Sequence, residues 1–250
     1  FMQWSALPSL MPWLWQFFRN ATPAGNAHMT GALTHILTDS VAQHRALTKG
    51  TRAEDWIADS AFAYAYADRK AFEADAAGWE VKRRAGFVPE IVEGQAVQEI
   101  EPILGPETKC LAILKDHGHI LNPGAYMEAL ARVLEDEGGT YRQAEAQDIE
   151  LTGGKVTAVL TDQGRMTCDR AVLAAGIWSK PLMRKLGLKV PLVAERGYHL
   201  HFTGPSQMPN NPMMMTQGKF AVNPMASGLR CAGTVELGDT TKGPSRGPRD

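Results

Sequence analysis

Ala174, Ala175 and Gly176 stand where an apolar run gives way to a helix start. The run Ala171 to Ala175 carries no charge, and a strand buried on both faces reads this way. Gly176 then bares the backbone, and Ser179 is a good N-cap with Pro181 tolerated in the first turn behind it. A strand, a turn without side-chain bulk and a helix N-terminus together suit a phosphate group. The same residues also serve as a plain strand–helix junction, or the end of a buried strand. Trp178 sits beside the turn and could shield whatever lies there.

The other chemistry-bearing residues are sparser. His199 and His201 share one face of an expected strand, a spacing that can ligate a metal ion. No carboxylate or cysteine at matching spacing completes a site, so structural roles are favoured and no metal is expected. His117 and His119 flank Gly118 in an expected turn and read the same way. Tyr198 offers a hydroxyl to a carboxylate or an amine, or packs as a core tyrosine. No G-x-S-x-G pattern supports a hydrolase nucleophile. No side chain stands out as a general base, so the catalytic residues are unknown.

Composition excludes several classes. The net charge is −1, from 26 Lys+Arg against 27 Asp+Glu, which leaves no electrostatic footprint for nucleic acid. Cys110, Cys168 and Cys231 form no C-x-x-C pair, so neither a zinc site nor a disulfide framework is indicated. A reducing, cytoplasmic compartment follows, and no signal peptide is visible. Trp4 to Phe18 is rich in large apolar groups but shorter than the roughly 20 residues that span a bilayer. It either packs on its own protein or lies in a membrane interface, where a Lys/Arg-rich polar face would be expected.

These residues need a scaffold. The pattern predicts helices over 8–19, 27–49, 69–84, 95–101 and from Asn122 to Gly138, with a further helix from Ser179 to Gly187. Phe62-Ala63-Tyr64-Ala65-Tyr66 alternates as a half-buried strand does. Strands are also expected at 87–92, 112–114, 140–142, 148–151, 156–160, 165–168, 193–202, 219–222 and 229–235. Gly153-Gly154 makes a hairpin turn, and Asp116 to His119 a turn. Gly204 to Pro212 reads as a loop. Gly238 to Gly243 has the spacing of a phosphate-binding loop, but Pro244 replaces the lysine, so it too reads as a loop.

Three further motifs carry a family resemblance: His119-Ile120-Leu121-Asn122-Pro123-Gly124-Ala125-Tyr126; Gly187-Leu188 with Pro191-Leu192-Val193 and Arg196-Gly197-Tyr198-His199-Leu200; and Gly228-Leu229-Arg230-Cys231-Ala232-Gly233-Thr234-Val235-Glu236. In this order, with Ala174-Ala175-Gly176, they resemble the FAD-dependent D-amino-acid oxidase superfamily, above all its bacterial D-amino-acid dehydrogenase and glycine-oxidase-like members. The resemblance implies an α/β fold with α+β parts, a partial Rossmann-like FAD-binding domain plus a mixed-sheet substrate domain. Residues 1–50 and 118–190 would belong to the first and 51–117 and 191–240 to the second, with 241–250 a disordered tail.

The same resemblance implies FAD as cofactor and an amine, most of all a D-amino acid, as substrate, oxidised to an imine and then a keto acid. By position Ala146, Ala174, Ala175, Gly176 and Trp178 would meet the cofactor. Tyr198 and either Phe220 or Ala221 would line the substrate pocket, the choice resting on strand register. Peripheral contact with the inner face of a membrane, or with a respiratory chain, is a further implication. The G-x-G-x-x-G fingerprint that opens such a flavin domain is not found, nor is the family's C-terminal arginine segment. The chain thus resembles the middle of a longer enzyme. The competing reading is an incomplete, non-catalytic fragment or binding module without cofactor.

Overall fold

A computed structural model describes residues 4–238 and 243–244. The expected tail at 241–250 and most of the loop at 238–243 lie outside the described residues. In chain order the elements are α1 (Leu7–Asn20), α2 (Pro23–Leu37), α3 (Ser40–Thr48), β1 (Ile57–Tyr66), α4 (Arg69–Ala74), α5 (Ala76–Arg84), β2 (Glu90–Glu93), α6 (Ala96–Ile100), β3 (Cys110–Ile120) and α7 (Pro123–Asp136). They continue as β4 (Ala146–Thr152), β5 (Lys155–Thr161), β6 (Gly164–Thr167), α8 (Ser179–Lys185), β7 (Ala194–Phe202), β8 (Met213–Met215), β9 (Phe220–Met225) and β10 (Gly228–Gly238). The fold is mixed α/β, as expected. By compactness the described chain forms two units: 4–17, 140–196, 236–238 and 243–244, and 18–139 with 197–235. Residues 18–50 and 118–139, placed above with the cofactor domain, group by this measure with 51–117 and 197–235.

The larger unit is built on the seven-stranded sheet β2-β3-β1-β8-β9-β10-β7. β1 runs antiparallel to β3 and parallel to β8. The alternation of Phe62 to Tyr66 was expected to leave one face in water, but both faces of β1 are covered. Ala63 and Ala65 join Leu111, Ile113, Met213 and Val222 under Val97 of α6. On the other face Tyr66 packs with Phe72, Trp79 and Cys110 beneath α4 and α5. Small residues on one side and aromatics on the other let each face take a helix layer at a different distance.

Several elements depart from expectation for identifiable reasons. The helix over 27–49 breaks at Thr38–Asp39, where Thr38 Oγ1 turns back on the Thr34 carbonyl and the polar run Thr38-Asp39-Ser40 favours a cap over continuation. The helix over 69–84 breaks at Asp75, whose carboxylate is engaged by the Tyr66 hydroxyl at 2.9 Å. The turn expected at Asp116 to His119 is instead a β-bulge within β3. Asp116 takes φ 59°, the register shifts opposite Ser60 and Phe62, and pairing resumes to Ile120. Met213–Met215 carries no alternation and was not expected as a strand; its pairing with β1 and β9 makes it one. Residues 140–142 form no strand. Gly153 and Gly154 do turn the β4–β5 hairpin, both in the left-handed region.

The smaller unit holds the meander β4-β5-β6 and α8. Lys185 near the end of α8 donates to the Gln147 carbonyl at 2.8 Å and pairs with Asp148 at 3.3 Å. Among the described residues no helix is long and apolar enough to cross a membrane.

Candidate functional site

The stretch 171–176 forms no strand, contrary to expectation. Its apolar character is real, but a strand exists through its ladder partners, and among the described residues none runs beside it. Val172 is 93% exposed and Trp178 70% exposed; Ala174, Ala175 and Gly176 are exposed as well. The turn that follows is well defined. Gly176 adopts φ +54°, and a β-carbon built there meets nothing within 4 Å. The Trp178 amide donates to the Ala175 carbonyl, and the Ala175 amide donates to Ser179 Oγ, both at 3.1 Å.

Ser179 is therefore not the N-cap. It is the first residue of α8, buried, and its hydroxyl closes the turn around Gly176 from behind. Gly187 ends the helix in the left-handed conformation, as expected. Beside the turn lies a cavity of about 320 Å³ whose walls include Leu10, Ile177, Trp178, Lys180 and Arg184. Lys180 is tied to the Leu192 carbonyl.

Ala146 opens β4 opposite Thr161 and is exposed. The Lys185 contacts to Gln147 and Asp148 bring this strand end against α8. The Ile149 amide first, and the Lys185 ammonium after it, hold the Asp148 carboxyl below its usual range. The five residues expected to meet a cofactor thus all lie in the smaller unit, around one helix and one strand end.

The residues expected at a substrate lie in the larger unit. Phe220 opens β9 opposite Met215 and lines a cavity of about 290 Å³ with Ala65, Ala67, Met215 and Thr216. Ala221 pairs with Met214 and Ala232, so by alternation it faces the opposite side of the sheet. Tyr198 sits half-buried on β7. In the smaller unit two charged residues of the quoted motifs meet: Glu236, 1% exposed, accepts from Arg196 Nη1 at 3.3 Å. Sequence reasoning quoted both and assigned neither; nothing in their spacing indicates that β7 and β10 are neighbours.

His201 Nε2 lies 3.1 Å from the Ser227 carbonyl and His117 Nδ1 3.1 Å from the Lys115 carbonyl. Burial lowers the His119 pKa. Among the described residues no three His, Cys, Asp or Glu side chains gather as a metal site would require.

Gly176 is thus left-handed, and Ala174, Ala175 and Trp178 are exposed around its hydrogen-bonded turn. Comparison with known proteins gives the class. Residues 13–250 match the model of the DAO family, FAD dependent oxidoreductase. The chain belongs to this family, whose D-amino-acid and glycine oxidases are FAD-dependent.

It is 32% identical over 245 residues to a D-amino-acid oxidase of Bradyrhizobium diazoefficiens, covering 98% of this chain and 58% of that protein. A D-amino acid dehydrogenase of Allorhizobium ampelinum is 28% identical over 179 residues, 67% of this chain and 41% of that one. Among solved structures, glycine oxidase from Bacillus cereus superposes with a TM-score of 0.65 at 20% identity, over 90% of this chain and 60% of its own. The last likeness shows the fold alone. The chain spans little more than half the length of these relatives at most.

Proposed function

We propose that these residues form part of an FAD-dependent oxidoreductase that oxidises the Cα–N bond of an amine, most of all a D-amino acid. The observation that carries the reading is the Gly176 turn: left-handed, open to solvent, and flanked by exposed Ala174, Ala175 and Trp178. Residues 1–50 and 118–190 would contribute to the FAD domain, and 51–117 with 191–240 to the substrate domain. The bound flavin supplies the redox chemistry, accepting a hydride from the substrate Cα.

The chain's own residues orient and shield. Ala174, Ala175 and Gly176 let the dinucleotide approach bare backbone, Trp178 covers it, and Ala146 contributes a backbone contact. Tyr198 presents its hydroxyl to the substrate carboxylate or amine, and Phe220 or Ala221 walls the pocket. The amine then leaves the site as an imine, which water converts to a keto acid and ammonia.

A second reading draws on the missing ladder at 171–175: the 250 residues alone are an incomplete module that holds no cofactor. One experiment separates the two. The gene product containing these residues is purified, its flavin absorbance per protein measured, and D-alanine, D-leucine, glycine and L-leucine added without oxygen. Bound flavin bleached by a D-amino acid supports the enzyme; a colourless protein that takes up no added FAD supports the module.

Peripheral membrane contact on the cytoplasmic side is a further part of the proposal. Met11, Trp15 and Phe18 fall at i, i+4 and i+7 of α1 and are all exposed, and aromatic residues favour the membrane interface. Sedimentation with liposomes, lost in Trp15→Ser, would test it.

A further inference from the structure

α2 and α5 flank a groove of about 720 Å³ within the larger unit. Ala27 and Gly31 of α2, with Ala77 and Val81 of α5, form its apolar walls. Thr34 ties its hydroxyl to the Thr30 carbonyl at 2.8 Å, which leaves its methyl group to the groove.

α2 differs from the rest of the chain. The protein holds 26 Lys+Arg and 27 Asp+Glu in 250 residues, yet the 15 residues of α2 include none of them. No α2 residue is buried either. A helix that presents no charged face is ordinarily covered by apolar surroundings. Gly31 is a second sign of a missing occupant. It lies in the interior of α2, where glycine weakens a helix relative to alanine. No described part of the chain requires it, because a β-carbon there meets nothing within 4 Å. The space it leaves opens on the groove.

The charged groups of the groove belong to α5. Arg84, its last residue, donates through Nε to Glu80 at 2.8 Å. Among the described residues its two Nη groups meet no carboxylate. A guanidinium fork left in this state suits a second carboxylate.

We propose that this groove binds one long unbranched acyl chain, with the carboxylate of the fatty acid on Arg84. Volume decides between one chain and two. At about 30 Å³ per heavy group the space takes about 24 groups, enough for a fatty acid of about sixteen carbons and too few for both chains of a phospholipid. Walls of methyl groups and a bare glycine give the chain dispersion contacts and demand no hydrogen bond from it.

The test is calorimetric titration of the gene product containing these residues with octanoate, dodecanoate and palmitate, each below its micelle threshold. Affinity should rise about fourfold per CH₂ added, as burial of each group predicts. Dodecanoate should bind about fivefold more tightly than dodecyltrimethylammonium, the worth of one exposed ion pair. That gap should close or reverse in Arg84→Gln, which leaves Glu80 alone at the site.

Gly31→Leu fills the groove from within. Leucine favours a helix over glycine and has room there, so the variant should melt no lower than the parent. It should weaken dodecanoate at least about tenfold. Leu33→Ser, on an exposed position outside the groove lining, should leave dodecanoate binding unchanged. Affinity independent of chain length, unaltered binding in Gly31→Leu, or binding lost in Leu33→Ser overturns the proposal. So does capture by phosphatidylglycerol vesicles without any dodecanoate binding, which would make α2 a contact for a lipid surface instead.

Discussion

Two regions of the chain are equally rich in apolar residues and use them differently. Around β1 and β3, Trp79, Val97 and Leu111 are wholly buried, and the Trp79 indole donates to the Tyr66 hydroxyl, which in turn donates to Asp75. Around Gly176, Val172 and Trp178 stand in solvent beside a turn closed by two hydrogen bonds. The first region covers its apolar side chains from within the chain. The second is uncovered, in keeping with the proposal that a cofactor lies there.

The largest effect should come from the covered region. Trp79→Ala removes a buried indole that stacks edge-on against Tyr64, with ring centroids 5.0 Å apart, and donates to Tyr66. It should destabilise the fold by about 3–5 kcal/mol. Val172→Ala should change stability by about 0.5 kcal/mol at most. Urea titration of both variants measures the contrast. A large loss from Val172→Ala would mean that its surroundings are already packed, and the comparison would break.

Gly176 sharpens the contrast from the other side. A β-carbon there meets no atom within 4 Å, so the main internal penalty expected of a valine is the left-handed backbone, about 1–3 kcal/mol. If the flavin lies against this backbone, Gly176→Val should lose most of the bound FAD while far-UV circular dichroism stays native. Asparagine adopts the left-handed region readily, so Gly176→Asn separates strain from obstruction. Flavin lost in both variants assigns the effect to obstruction; full flavin in both makes the stretch a structural junction.

Ser179 should matter less. Its hydroxyl holds the Ala175 amide, and Ser179→Ala should destabilise by about 1 kcal/mol, the net worth of such a hydrogen bond. Flavin should stay bound, because the hydroxyl braces the turn from behind. Thermal unfolding beside flavin absorbance measures both. Loss of flavin with unchanged stability would place Ser179 on the ligand side instead.

What the sequence revealed divides along the same line. Local signals were legible: the Asn122 cap, whose side chain accepts from the Ala125 amide at 3.2 Å, the Gly153-Gly154 hairpin and the Gly187 helix end. Each is decided by residues a few positions apart. Elements decided by distant partners were not. Met213–Met215 becomes a strand only because β1 and β9 flank it, and Ala171 to Ala175 fails to become one for want of a neighbour. At the site, the choice between Phe220 and Ala221 needed a register that sequence does not carry. Motif order recovered the family, because order survives where spacing drifts.

The smallest expected effect tests how the smaller unit is held. Where the β1 sheet relies on buried side chains, β4 and β5 are joined across to β6 by a surface cluster. Glu150 accepts from Arg165 Nη2 at 2.6 Å and Nε at 3.0 Å, and from the Thr157 hydroxyl at 2.8 Å. Arg165 first, and Thr157 after it, lower the Glu150 pKa from 4.5 to about 2. A carboxyl depressed in the folded state stabilises fully above its unfolded pKa. That contribution fades as pH falls from 4.5 towards about 2. The pair is exposed and screened by water, so the effect is small. Amide shifts of 146–167 followed through this range should show the meander loosening in acid, with the core around Trp79 unmoved. Glu150→Gln should remove the pH dependence while keeping the Thr157 hydrogen bond. If the meander of Glu150→Gln still loosens with the same midpoint, the Glu150–Arg165 pair does not hold these strands, and the two units are stabilised more alike than their burial implies.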